Sequence, residues 1–268
     1  MNWKLLLLVV TWLLGIAPSQ AEQTRITAPT TQNGTHAYFH ELLIAAFAAA
    51  GREVVIEEVK DPARLRMKKM LASGELTIMW MTQSPQNDSD FVRIDFPLTD
   101  GLSGQRVLMI RPQDQERFDR INSLDDLRRS GLVAGLGPEG VDFALWQANG
   151  LPAITPVTDP GRLYDMLRAG NRGVDYIPHS VNGIMADTPI HRGLVPEQHL
   201  LLHFNREGRF YLSPIAADLR PTLEAGLKIV RSNGTLARLV EKHMGHIRRA
   251  LNLDRRLVLS LRDDEKLN

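Results

Sequence analysis

Cysteine is absent from the 268 residues. That excludes disulfides, thiolate zinc sites, thiol nucleophiles and a lipidated N-terminal cysteine. A surplus of either charge is missing too, since 32 Lys and Arg face 31 Asp and Glu. A nucleic-acid binder carries a basic surplus, so that class is set aside. After the first 17 residues no apolar run approaches the ~20 residues needed to span a bilayer. No Ser-His-Asp order, phosphate loop or paired-carboxylate motif stands out. What is present is ordinary globular material, 43% apolar and 24% charged. It is enough chain for one to two domains.

The N-terminus is the exception. Met1 to Lys4 is short and positive, Leu5 to Ala17 is apolar, Pro18 breaks the run, and Ser19-Gln20-Ala21 supplies small residues at a cleavage site. That order predicts a signal peptide over 1–21, cut after Ala21. The expected mature protein starts at Glu22 and is a periplasmic, soluble monomer without a lipid anchor. A cysteine-free chain suits an oxidising compartment, because nothing can mispair.

Short apolar runs then alternate with helical patterns. Strands are expected at Arg25–Ala28, Val54–Val59, Leu76–Met81, Leu132–Leu136 and Val174–Ile177, with helices at Ala37–Ala50, Pro62–Leu71, Ser123–Arg129 and Val141–Ala148. Two more helices are expected at Leu219–Arg231 and Thr235–Met244. The alternation argues βαβ units. Val59-Lys60-Asp61-Pro62-Ala63-Arg64-Leu65 recurs as Val157-Thr158-Asp159-Pro160-Gly161-Arg162-Leu163. Each copy leads through a glycine into a strand with a large aromatic, as two lobes of similar topology would. If Arg106–Ile110 and Arg209–Leu212 are the crossovers, lobe one holds 22–108 plus 212–268 and lobe two holds 109–211.

The closing stretch Asp218 to Gly245, the run Ser123-Leu124-Asp125-Asp126-Leu127, and Arg93-Ile94-Asp95-Phe96-Pro97 together resemble bacterial extracellular solute-binding proteins of family 3. These are the periplasmic polar-amino-acid type. Glu41-Leu42-Leu43, Leu71 to Trp80, Gly101 to Ile110 and Met166 to Pro178 are similar to one divergent branch of it. The resemblance implies a type II periplasmic-binding-protein-like α/β fold, each lobe a mixed sheet flanked by helices. The implied partners are a small-molecule solute and a membrane transporter or sensor, with no cofactor. Family members grip the ligand carboxylate with an Arg after the third strand of lobe one and its ammonium with an Asp in lobe two. Here Ser180 stands where that Asp would, Arg93 is the nearest Arg, and Gly140-Val141 replaces the usual Gly-Ser or Gly-Thr. An α-ammonium would stay unpaired, and burying an unpaired charge is costly. An acidic or neutral solute is expected instead.

The expected ligand-binding residues are Trp80, Thr82, Arg93, Arg106, Gly140, Tyr176, His179 and Ser180. Trp80 would stack on the solute; the plainer reading is a core tryptophan. Arg93 and Arg106 would grip an anion; the plainer reading pairs them with Asp95 or Asp100. Gly137 to Gly140 would offer backbone N–H groups. Tyr176, His179 and Ser180 would face the cleft, although a lone histidine is more often structural. His36/His40 and His199/His203 are each four apart without an evident third ligand, so no metal site is expected. Dehydratases on this fold carry an acid that Ser180–Ala186 lacks, so no enzyme activity is expected. The alternatives are a signalling or interaction module with a degenerate cleft and, further off, a dehydratase-like enzyme.

Overall fold

The computed structural model describes residues 23–30, 36–60, 64–137, 141–155 and 160–263. The expected signal peptide lies outside them. The chain opens with β1 (Thr24–Thr30), α1 (Ala37–Ala49), β2 (Val54–Lys60), α2 (Arg64–Ser73), β3 (Ile78–Thr82), α3 (Pro85–Asp90) and β4 (Val92–Arg93). β1 and β2 pair in parallel across α1, the crossover that parallel pairing requires. Thr77 donates its backbone N–H to Thr27 O, which brings β3 in beside β1.

A second unit follows: β5 (Gln105–Ile110), α4 (Gln115–Asp119), α5 (Leu124–Arg129), β6 (Ala134–Gly135), α6 (Val141–Ala148), β7 (Ala153–Ile154), α7 (Pro160–Ala169), β8 (Ile177–Ser180), α8 (Val181–Asp187), β9 (Val195–Pro196) and β10 (Leu200–His203). β5 is its spine, antiparallel to β8 on one side and to β9 and β10 on the other. Ala134 bridges Tyr176 and ties the β6–β7 pair to it. β11 (Gly208–Leu212) then returns to the first sheet, between β3 and β4. α9 (Arg220–Ser232) and α10 (Thr235–Ala250) pack on α1, and β12 (Leu257–Ser260) closes the chain.

Two connectors join the sheets, Leu98–Gly104 and Phe204–Glu207, and they run side by side. Phe204 N–H donates to Gly104 O and Leu98 N–H to Gly208 O. The Glu207 carboxylate accepts from Thr99 Oγ1 at 2.9 Å and from the Gly101 N–H. A Cβ at Gly104 would lie 2.1 Å from Phe204 O, so only glycine permits this approach.

Sheet membership differs from the expected division at two places. Residues 105–108 already belong to the second sheet. β12, expected with the first lobe among 212–268, pairs in parallel with β10. Its alternation Leu257-Val258-Leu259-Ser260 buries Leu259 in the second core and covers the β10 edge. Three further elements shift. β8 starts at Ile177, three residues later than the expected strand. α10 runs on past Met244 to Ala250, with Gly245 buried within it. α3, nucleated by Ser84 accepting from the Asn87 N–H, was not anticipated.

Candidate functional site

A cleft of about 200 Å³ opens where α3 and β4 meet the second connector, lined by Gln83, Ser84, Pro85, Asp88, Arg93, Asn205 and Arg206. Pairing sets its geometry. β11 lies between β3 and β4, so Tyr211 and Arg93 are neighbours and reach the same carboxylate. Arg93 Nη1 donates to Asp88 Oδ2 at 2.6 Å, Tyr211 Oη to Asp88 Oδ1 at 2.7 Å, and Gln83 Nε2 to Oδ2 at 3.3 Å. Burial and the adjoining Asp88 both push the Tyr211 hydroxyl well above the usual tyrosine range, which keeps it a donor. On the connector side, Arg206 Nε reaches both oxygens of Asp263, at 2.9 and 2.7 Å. The cleft presents three neutral polar side chains, two guanidinium groups and the Asp88 carboxylate, a surface for hydrogen-bonding solutes.

Of the expected residues that the structure describes, Arg93 alone lines this cleft. Its partner is Asp88 first, with Asp95 at 4.0 Å. Thr82 ends β3 beside the cleft, and its carbonyl accepts from Asn87 Nδ2 at 2.9 Å. Arg106 and Ser180 are register partners in the second sheet, with His179 next to them opposite Val107. There Arg106 pairs with Asp142 at 3.2 Å, donates to the Ser103 and Gln105 carbonyls, and covers the Phe204 ring at 4.7 Å. Its ion pair is therefore with Asp142, not with Asp95 or Asp100.

Two expected residues lie apart from this cleft. Trp80 is partly buried: it stacks on Phe39 at 4.4 Å and meets His36 and Phe210 edge-on, packed against the core between β3 and α1. The face of β3 that carries Trp80 is opposite to the one carrying Met81. Tyr176 is fully buried and accepts from Trp146 Nε1 at 3.0 Å, in the second core. Gly140 lies outside the described residues. His36 and His40 both direct a ring nitrogen to Pro29 O. No cluster of three metal-ligating side chains forms among the described residues.

Ser180 has a structural task as the N-cap of α8, accepting from the Gly183 N–H at 3.2 Å. Ser180→Ala should therefore cost about 1 kcal/mol of stability in urea denaturation. A loss of solute affinity with stability unchanged would contradict this.

The residues that sequence reasoning missed are Gln83, Ser84, Asp88, Asn205 and Arg206. Ser84-Pro85 carried a legible signal, a capping serine before proline at a helix start. The connector residues carried none.

No family model matches the sequence, and no curated protein does either. Solved structures do match. One is an ancestral arginine-binding protein bound to arginine, 15% identical, TM-score 0.52, matched over 83% of this chain and 98% of that one. Another is an amino acid ABC transporter substrate-binding protein from Streptococcus pneumoniae bound to L-arginine, 13% identical, TM-score 0.52, over 82% and 93%. A third is an ancestral amino-acid-binding protein described as a precursor of cyclohexadienyl dehydratase, 15% identical, TM-score 0.52, over 82% and 94%. At such identity the likeness speaks to the fold alone, and the fold of this chain is the two-lobed α/β fold of periplasmic binding proteins.

Proposed function

We propose that the protein binds a small polar or acidic organic solute at the junction of its lobes and delivers it to a membrane transporter or receptor. One observation carries this reading: a cleft lined by Gln83, Ser84, Asn205, Asp88, Arg93 and Arg206 at the connector of a two-lobed fold. Cleft closure would be the mechanism, the solute favouring the closed state by the extra contacts it makes there. Solved structures of the same fold hold amino acids, which supports a small-solute role. Export with cleavage after Ala21 belongs to the same proposal. The alternative, an interaction module whose cleft no longer takes solute, is favoured by one fact: Arg93 and Arg106 are already paired, with Asp88 and Asp142.

A thermal-shift panel separates the two. A solute at 100 times its Kd adds about 2.7 kcal/mol, and a chain of this size moves roughly 2–4 °C per kcal/mol. We expect at least one small carboxylate to raise Tm by about 5–10 °C, and Arg93→Ala to weaken it by roughly 10-fold or more. A panel in which no carboxylate or amino acid shifts Tm favours the interaction module.

A further inference from the structure

Strand register brings the last described residue to the edge of the cleft. β12 pairs with β10 in parallel, Leu257 opposite Leu200 and Ser260 opposite His203. The Leu261 N–H continues the ladder onto His203 O, and Asp263 meets Arg206 at the same offset of 57 residues. The two chains thus run side by side along the second connector, toward the first sheet. The other flank of that connector belongs to the first connector, through Phe204 N–H on Gly104 O and Leu98 N–H on Gly208 O. β3 therefore approaches on the same flank as β12, from the opposite end. It is antiparallel to β11, and just past it the Gln83 N–H donates to Glu207 O.

The cleft lies between these two chain ends. Gln83, Ser84 and Pro85 line it from the β3 side, Asn205 and Arg206 from the connector. Carbonyl acceptors alternate along this flank, His199 O for Leu257 and His203 O for Leu261, and the one at Glu207 is taken by Gln83. A chain following Asp263 finds the ladder closed ahead and the cleft beside it. The sequence goes on as Asp264-Glu265-Lys266-Leu267-Asn268. Five extended residues reach roughly 17 Å, enough to cross a cleft of about 200 Å³. Charge fits as well. Arg93 and Arg206 outnumber Asp88 in the lining, and Asp88 is engaged by Arg93, Tyr211 and Gln83. The five residues carry two acids against one lysine.

We propose that the cleft takes the chain's own residues 264–268, held by their two acids against its cationic lining, and that this segment competes there with an acidic solute. The competition rests on the solute-binding reading; the docking does not. A tether this short gives an effective concentration in the millimolar range, so contacts too weak to hold a free peptide suffice. The apparent affinity for solute then falls with the fraction of molecules whose cleft is open.

Docking and competition are tested separately, each by the paired substitution Asp264→Asn with Glu265→Gln, which keeps shape and removes charge. The chain has no cysteine, so Leu267→Cys offers one attachment point for a nitroxide. In amide NMR at low salt the label should broaden the Ser84 and Asn205 signals strongly, and neutralising the two acids should restore at least half their intensity. Signals left sharp by the label, or broadened equally after neutralisation, overturn the docking. The second readout is calorimetry of the unlabelled protein with succinate and L-glutamate. An acid that binds the wild type should bind the neutralised variant about 5-fold more tightly, as when the segment fills roughly four clefts in five. Unchanged or weaker binding overturns the competition and leaves solute binding standing. Binding of neither acid by either protein also overturns the competition; the NMR result still decides the docking, and solute binding is then judged by whether the purified protein carries a solute.

Discussion

Asp263→Ala should lower stability by about 3–5 kcal/mol, a fall in Tm of roughly 6–20 °C. Few ion pairs in the molecule have that leverage. The Asp263 and Arg206 side chains are 2% and 7% exposed, so neither is well screened by solvent or salt. Removing the carboxylate takes away the two contacts that Arg206 Nε makes to it, at 2.9 and 2.7 Å. By contrast Arg25 and Glu57 are 69% and 52% exposed, and Arg25→Ala should cost less than about 1 kcal/mol. The Asp263 pair also fixes a larger feature. Leu261 N–H donates to His203 O, and Asn149 bonds both the N–H and the C=O of Arg262. The last described residues thus lace α6 and β10 to the connector that carries Arg206. Urea denaturation of Asp263→Ala checks the pair; a loss under 1 kcal/mol would mean that it contributes no more than a surface contact.

The second large effect opposes two glycine terms. Gly226 lies in α9, where Gly→Ala alone would gain about 1 kcal/mol of helix propensity. A Cβ there would meet the α1 backbone, 1.9 Å from Ala46 O and 2.6 Å from Ala46 C. Backbone cannot rotate away, so α1 and α9 must separate, and overpacking of that kind costs 1–3 kcal/mol or somewhat more. We expect Gly226→Ala to lose up to about 2 kcal/mol net. Gly245 is the control. The three atoms nearest to its Cβ all belong to the end of the Glu241 side chain, the first at 2.3 Å, and that side chain is exposed and can move. Gly245→Ala should gain up to about 1 kcal/mol. Equal effects at the two positions, measured by thermal denaturation, would show that propensity and not packing decides.

The parts of the fold written in local pattern were legible. Alternating strands and helices gave β1, α1, β2 and their order, because each element's apolar period is local. The cap Ser123 and the glycine at 234 set the starts of α5 and α10 correctly. Trp80 shows the limit. Its strand was read correctly, but which face the residue takes depends on what covers each side of the sheet, and α1 covers this one. Asp88 was illegible for a related reason. Its environment arises from pairing between segments more than a hundred residues apart, and no spacing rule links them. β12 was missed because four residues after two helices carry too short an alternation to register against the helical trend.

Native mass spectrometry of the freshly purified mature protein tests the central claim most directly. The account predicts a fraction carrying one added small organic acid, lost on gentle activation, on a polypeptide whose mass lacks Met1 to Ala21. A bare polypeptide in every preparation, still bare after incubation with a carboxylate-rich cell extract, would contradict it.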